Sequence, residues 1–427
     1  MDFSTPYPLI ILASIVLIIS FLFGEISKRT SVPSVLMLIV LGMVVRLGIN
    51  TLGYEDINFL PTLKLLGTVG LIMIVLEAAL ELKLARNKLV PILVALVVAL
   101  VGLVLSAWVT AEILYYFIDF KTPHGDQSKM VAWIYATPLS ILSSAIIIPS
   151  VIDLRNDKKE FHIYESTFSD ILGIMMFYFL IGMYHAEGVE HHGGGIGGFA
   201  LTTILTLLIA IVSSYMIMFV FQKISSPTKL FLLIAVLLLI YSIAKQQHLS
   251  SLLIILIFGL VIANMDLFFI GPLKKRLDKK EAHEMYHGLH VITMETAFVV
   301  RTFFFVIFGV TIVLSTIASW NVIGVSLICL AVVYIIRFLL LRSTLGADIN
   351  PQLYIAPRGL ITILLFYDIP DFCLVSGFSS GILLFIIIGT SLIMTVSLIV
   401  NKRRTNKAIQ SVNSVNISET KWKVPEI

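Results

Sequence analysis

The string Glu165-Ser166-Thr167-Phe168-Ser169-Asp170 carries two carboxylates and two side-chain hydroxyls at helical spacing. Glu165 and Ser169 stand four positions apart, as do Ser166 and Asp170, so one side of a helix gathers all four groups. Hard monovalent cations take oxygen ligands: carboxylate, hydroxyl, backbone carbonyl and water. Burial disfavours the charged form of a carboxyl, so one such group holds a proton or a cation but not both. That competition is the chemistry an ion exchanger needs. The upstream hydroxyls of Thr137, Ser143 and Ser144 can join the same cluster. A second string, His283-Glu284-Met285-Tyr286-His287 followed by His290, suggests different chemistry. On a helix, His-Glu-x-x-His can put two imidazoles on zinc with the glutamate as base. An intramembrane zinc protease is therefore the rival class, and a cytoplasmic pH sensor is a third reading of the same histidines.

Composition shows what must position these groups. Of 427 residues, 58% are hydrophobic and 13% charged, with a mean hydropathy of +1.00. Soluble domains have about 25% charged residues, so a soluble globular protein, a nucleic-acid binder and a disordered scaffold are excluded. Apolar stretches predict an all-α polytopic membrane protein of about thirteen spans, at roughly 8–24, 34–49, 65–82, 89–110, 131–152, 163–184, 197–222, 230–244, 250–266, 290–314, 322–341, 353–369 and 379–400. Cys329 and Cys373 are too few for a disulfide framework or a structural zinc site, and no cofactor is expected.

Charge sets the orientation. Loops after odd-numbered spans, with the tail, hold 22 of the 30 Lys and Arg residues, and the opposite side holds 5. The positive-inside rule predicts a multi-pass protein of the cell membrane, with its N-terminus outside and a short basic tail, 402–427, in the cytoplasm. The stretch before span 1 has no basic segment, so no cleaved signal peptide is expected. Arg301, Arg337 and Arg358 remain inside spans, as do Glu77, Glu165 and Asp170. Intramembrane charges are costly and mark function or structural ion pairs. Depth along the spans suggests Glu165 with Arg337 and Glu77 with Arg358, with Asp170 and Arg301 both deeper. Spans 5 and 12 each carry an inner proline, in Ala136-Thr137-Pro138 and Ala356-Pro357-Arg358-Gly359. Interrupted helices in corresponding halves point to a transporter's ion site. Six spans, a linker span 7 and six more would form an inverted repeat that makes spans 5 and 12 equivalent.

These blocks together resemble the monovalent cation:proton antiporter superfamily. The Glu165–Asp170 string is similar to that family's Glu-Ser-x-x-Asn-Asp motif. Ser143-Ser144-Ala145-Ile146 resembles the fifth helix of its potassium-efflux branch. Arg301-Thr302-Phe303-Phe304-Phe305 through Gly309 resembles the tenth-helix block, Arg337 the eleventh-helix arginine, and Pro357-Arg358-Gly359 the twelfth-helix signature.

The resemblance implies exchange of sodium, potassium or lithium for protons by an elevator motion, with Asp170 as the carrier. Ser166, Ser143, Ser144 and Thr137 would be auxiliary ligands, and Glu165–Arg337 and Glu77–Arg358 supporting pairs. It also implies residues 1–401 as one transmembrane antiporter domain working as a homodimer in the lipid bilayer. Spans 4–6 and 11–13 would form the moving core, and spans 1–3 and 8–10 the dimerisation part. The chain departs from the pattern at Ser169, where the family has Asn or Asp. Arg301 stands where electrogenic members have a lysine that pairs with the carboxylate. A single carboxylate suggests electroneutral exchange, with Arg301 able to pair with Asp170 but not to shuttle a proton. A channel or a non-antiporting ion sensor is the remaining class. His185, His191 and His192, with Glu187 and Glu190, are read as a solvated outer loop.

Overall fold

A computed structural model describes residues 7–419, apart from 31, 52–59, 83, 85–87, 122–127, 153, 188–195, 225, 227, 248–250, 270–278, 313–315, 318 and 347. The outer-loop residues His191, His192 and Glu190, and the tail beyond 419, lie outside the described residues. The first half contains α1 (Tyr7–Thr30), α2 (Ser34–Thr51), α3 (Leu60–Glu81), α4 (Leu89–Phe117), α5 (Lys129–Ser140), α6 (Ser144–Ser150) and α7 (Asn156–Glu187). Then come α8 (Ile196–Phe221), α9 (Lys229–Gln246), α10 (Ser251–Ala263), α11 (Met265–Phe268), α12 (Lys279–Thr311), α13 (Trp320–Leu345), α14 (Leu360–Tyr367) and α15 (Ser380–Glu419). The apolar stretches fall on these helices, except that 353–369 is α-helical only from Leu360. Among the described residues, nine helices are long and apolar enough to cross a membrane, and no β-strand occurs.

Helix is the expected outcome because hydrocarbon offers no partner to a free N–H or C=O, and a helix satisfies both internally. The most apolar of these spans, α4, runs 29 residues, or about 43 Å, enough for a tilted crossing. Its outward face carries Val90, Leu93, Val97 and Trp108, while Ala95, Ala99, Ala107 and Ala111 are buried. Small residues on the inner face let neighbouring helices approach.

Packing sorts the helices into two groups. On one side α4 lies against α5, α7 and α13, α13 against α15, and α14 against α5. On the other, α12 lies along α2 and α3, and α10 against α3 and α8. The α2–α12 crossing is closest at Gly42 and Gly309. A Cβ on Gly42 would stand 2.1 Å from the Val306 carbonyl oxygen, and one on Gly309 2.3 Å from that of Ile39. Arg46 then caps the end of α12, donating to the carbonyls of Val310 and Ile312 at 2.8 and 3.1 Å.

Candidate functional site

The site is built where two broken helices cross. Span 5 is not one helix. It runs as α5, three extended residues and α6, and the break lies at Ile141–Ser143 rather than at Pro138, which stays inside α5. The last turn of α5 is loosened chemically. Pro138 brings no N–H, and the Thr137 and Ser140 hydroxyls donate back to the carbonyls of Trp133 and Ala136 at 2.8 and 2.9 Å. The freed backbone groups then find partners from other elements. The Leu142 N–H donates to Ser169 Oγ at 2.9 Å, the Ser143 N–H to the Pro357 carbonyl at 2.9 Å, and the Ser144 N–H to Asp170 Oδ2 at 3.2 Å.

Span 12 is interrupted more deeply. A short 3₁₀ turn at Gln352–Tyr354 leads into extended backbone, and helix resumes only at Leu360. Gly359 has φ −162, an extended conformation open to any residue, so its value is space. A Cβ there would stand 2.5 Å from Ser143 Oγ and 2.8 Å from Ile146 Cδ1. Gly173 on α7 gives the same close approach, with its Cβ position 2.3 Å from Ile141 Cγ1. Arg358 is buried in the crossover. Its Nε donates to the Leu139 carbonyl at 2.8 Å, its Nη1 to that of Ala356 at 3.0 Å, and its N–H to Thr390 Oγ1 at 3.0 Å. Arg358 thus binds the carbonyls that both breaks release.

The structure corrects two pairings. Glu77 meets Arg301, Oε2 to Nη2 at 2.7 Å, and does not pair with Arg358. Arg301 therefore does not reach Asp170. The reason is angular: α12 lies on α3, so Arg301 faces Glu77, while α14 lies on α5 and turns Arg358 into the break. Equal depth does not fix direction around a helix axis. Glu165 and Arg337 do meet, in a bidentate contact of 2.7 and 3.0 Å. Arg337 also donates to the Gln352 carbonyl at 3.1 Å, and His162 Nδ1 lies 3.1 Å from Glu165 Oε2. This buried cluster ties α7 to α13 and to the turn that begins the second break.

His162 is the contributor missed from sequence. It stands three residues before Glu165 on α7, and that spacing was the available signal. Ser169, counted in the sequence with the oxygen cluster on that helix face, accepts the Leu142 N–H. Ser166 donates to the His162 carbonyl at 2.7 Å and Thr137 to that of Trp133, so both hydroxyl protons are used within their own helices. Of the hydroxyl residues proposed as ligands, Ser144 is the one hydrogen-bonded to Asp170, through its backbone. Asp170 is 2% exposed, and its Oδ1 has no hydrogen-bond partner among the described residues.

Two spaces flank this region. A cavity of about 30 Å³ lies among Ser140, Ser169, Glu165, Arg337 and Arg358, room for a water or two. A larger cleft of about 490 Å³ opens among α3, α9, α12 and α14, with Lys245, Asp368 and Asp371 at its wall. Tyr178 donates to Asp368 Oδ2 at 2.6 Å, and Lys245 Nζ is 3.5 Å from Oδ1. Asp170 lines neither space. The His283–His287 string sits on the exposed first turns of α12. No group of three or more His, Cys, Asp or Glu among the described residues could hold a metal ion, so a zinc-protease centre lacks its third ligand there.

The sequence profile described as "Sodium/hydrogen exchanger, transmembrane" matches residues 13–402. No curated protein sequence matches the chain. Two solved structures of the sodium proton antiporter MjNhaP1 from Methanocaldococcus jannaschii share the fold at 18% identity and a TM-score of 0.60. The structure at pH 8 is matched over 91% of this chain and 95% of its own, and the electron-microscopy structure over 100% of each. Crossed helix breaks beside a buried carboxylate thus lie within a profile match spanning nearly the whole chain, and the chain belongs to the sodium/hydrogen exchanger family of membrane transporters.

Proposed function

We propose that this chain exchanges one monovalent cation for one proton across the cell membrane, with Asp170 as the group for which they compete. The observation that carries the reading is the state of Asp170 itself. It is buried at the crossing of two broken helices, with Oδ2 held by the Ser144 N–H and Oδ1 without a donor among the described residues. A deprotonated carboxylate left in that state is poorly compensated. A proton on Oδ1 or a cation beside it supplies the compensation, and the two exclude each other. Nearby oxygens from Ser143, Ser144, Thr137 and Ser166 complete the cation's ligand set, with local rearrangement of the hydroxyls.

Two features support electroneutral exchange. Ser169 is neutral, and Arg301 is engaged by Glu77, so neither adds a charge that changes with the cargo. The two packing groups support an elevator motion, in which α4–α7 and α13–α15 carry Asp170 past α1–α3 and α9–α12. The latter part would also form a homodimer. The basic tail and cytoplasmic loops would fix the N-terminus outside. Sodium, potassium and lithium all suit an oxygen-lined site.

The test is a proton-gradient assay in inside-out vesicles, adding each cation in turn. Cation-specific collapse of the gradient at a rate unaffected by clamping the membrane voltage is the expected result. A voltage-shifted reversal at fixed ion and proton gradients would overturn the one-for-one stoichiometry. Cation flux with no proton movement would overturn exchange itself in favour of a channel.

A further inference from the structure

We propose that His283 and His287 form a two-histidine site for a divalent transition-metal ion on the exposed first turns of α12. This inference stands apart from the exchange reading. The two Nε2 atoms face each other at 3.0 Å, with the rings nearly perpendicular at 89°. A metal ion bound by both sits to one side of the line between them, because 3.0 Å is shorter than two metal–nitrogen bonds end to end, and it binds when neither nitrogen facing it carries a proton. Metal–imidazole bonds are about 2.0–2.1 Å long. Two such bonds at a right angle put the nitrogens about 2.8–3.0 Å apart, whereas a tetrahedral angle needs about 3.3–3.4 Å. The observed spacing therefore fits adjacent corners of a square-planar or octahedral ion. This geometry favours Ni²⁺ or Cu²⁺ over Zn²⁺.

The scaffold holds the pair in place. Met285, Tyr286 and Leu289, on the other face of the same turns, are buried, and the Tyr286 hydroxyl donates to the Leu80 carbonyl at 3.1 Å. Lys229 Nζ meets Glu281 Oε2 at 2.9 Å, fixing α12 to α9 one turn earlier. Next to His287, Gly288 faces α9, where its Cβ position would be 2.5 Å from Leu230 Cδ1. The backbone is thus anchored on its inner side while both imidazoles are exposed, leaving the other coordination positions to water. A pair of ligands with water beyond is an open, reversible site and not a hydrolytic centre, in keeping with the lack of a third protein ligand among the described residues.

The test is calorimetric titration of the full, untagged chain in detergent with Ni²⁺ and then Zn²⁺. The expected result is one more Ni²⁺ site per chain in the wild type than in a His283→Gln/His287→Gln variant. That site should prefer Ni²⁺ to Zn²⁺, and either single substitution should weaken it by at least about tenfold, since the second ligand no longer binds intramolecularly. Glu284→Gln should leave it unchanged. Equal Ni²⁺ stoichiometry in wild type and double variant, with both eluting alike in size-exclusion chromatography, would overturn the site. Preference for Zn²⁺ would overturn the right-angle geometry.

Discussion

Removing Arg337 would strip Glu165 of both guanidinium hydrogen bonds and leave His162 as its remaining side-chain hydrogen-bond partner among the described residues. Breaking a buried pair on one side costs about 3–5 kcal/mol, because the remaining charge is uncompensated. Arg337→Ala should therefore lower the thermal unfolding midpoint of the detergent-solubilised chain sharply, while replacing both partners with leucine should recover part of the loss. An Arg337→Ala midpoint equal to wild type would contradict the pairing. Glu77–Arg301 is more exposed, at 15% and 20%, and should matter less to stability than Glu165–Arg337. At this scale the sequence was informative about which charges are buried and less so about how they pair. Depth along the spans brought Glu165 and Arg337 to one level, and they are in contact. The same argument joined Glu77 to Arg358, whose guanidinium instead serves two backbone carbonyls. Rotation about a helix axis depends on neighbours distant in the chain, and no local pattern encodes it.

The broken elements make sharper demands on space than on charge. Gly359→Ala would drive a methyl into Ser143 Oγ, on the opposing break, and Ile146 Cδ1, in the helix that follows it. The crossover would have to separate, so loss of most exchange activity is expected even where folded protein is recovered. Exchange at the wild-type rate would show that the two breaks need not touch. Ser169→Ala removes the acceptor for the buried Leu142 N–H, a loss of about 1–3 kcal/mol in stability that a thermal melt would detect. Proline flagged both interruptions in the sequence, but the first break falls beyond Pro138. Its position is set by partners from elsewhere: Ser169 and Asp170 on α7 and the Pro357 carbonyl on the other break. Those contacts are tertiary, which is why local reading found that a break exists and misplaced where it lies.

For the whole molecule, hydrophobic runs were enough to define an all-helical membrane protein, because length and apolarity are properties of each stretch alone. What they could not show is the close seam where α2 meets α12. Gly42→Val would place side-chain atoms against a backbone carbonyl that cannot yield, so reduced expression and a lower melting midpoint are expected, whereas Gly24→Val, with nothing within 4 Å of its Cβ position, should be neutral. The seam lies in the part proposed to stay fixed, while Asp170 belongs to the part proposed to move. The proposed exchange depends on that one carboxylate. The most direct measurement is cation-driven proton exchange by vesicles containing wild type or Asp170→Asn, with folding checked by size-exclusion chromatography. Asn keeps the shape and an oxygen for the Ser144 N–H but has no charge to trade between proton and cation. No exchange with sodium, potassium or lithium is expected of the variant, and full exchange by folded Asp170→Asn would overturn the role proposed for Asp170.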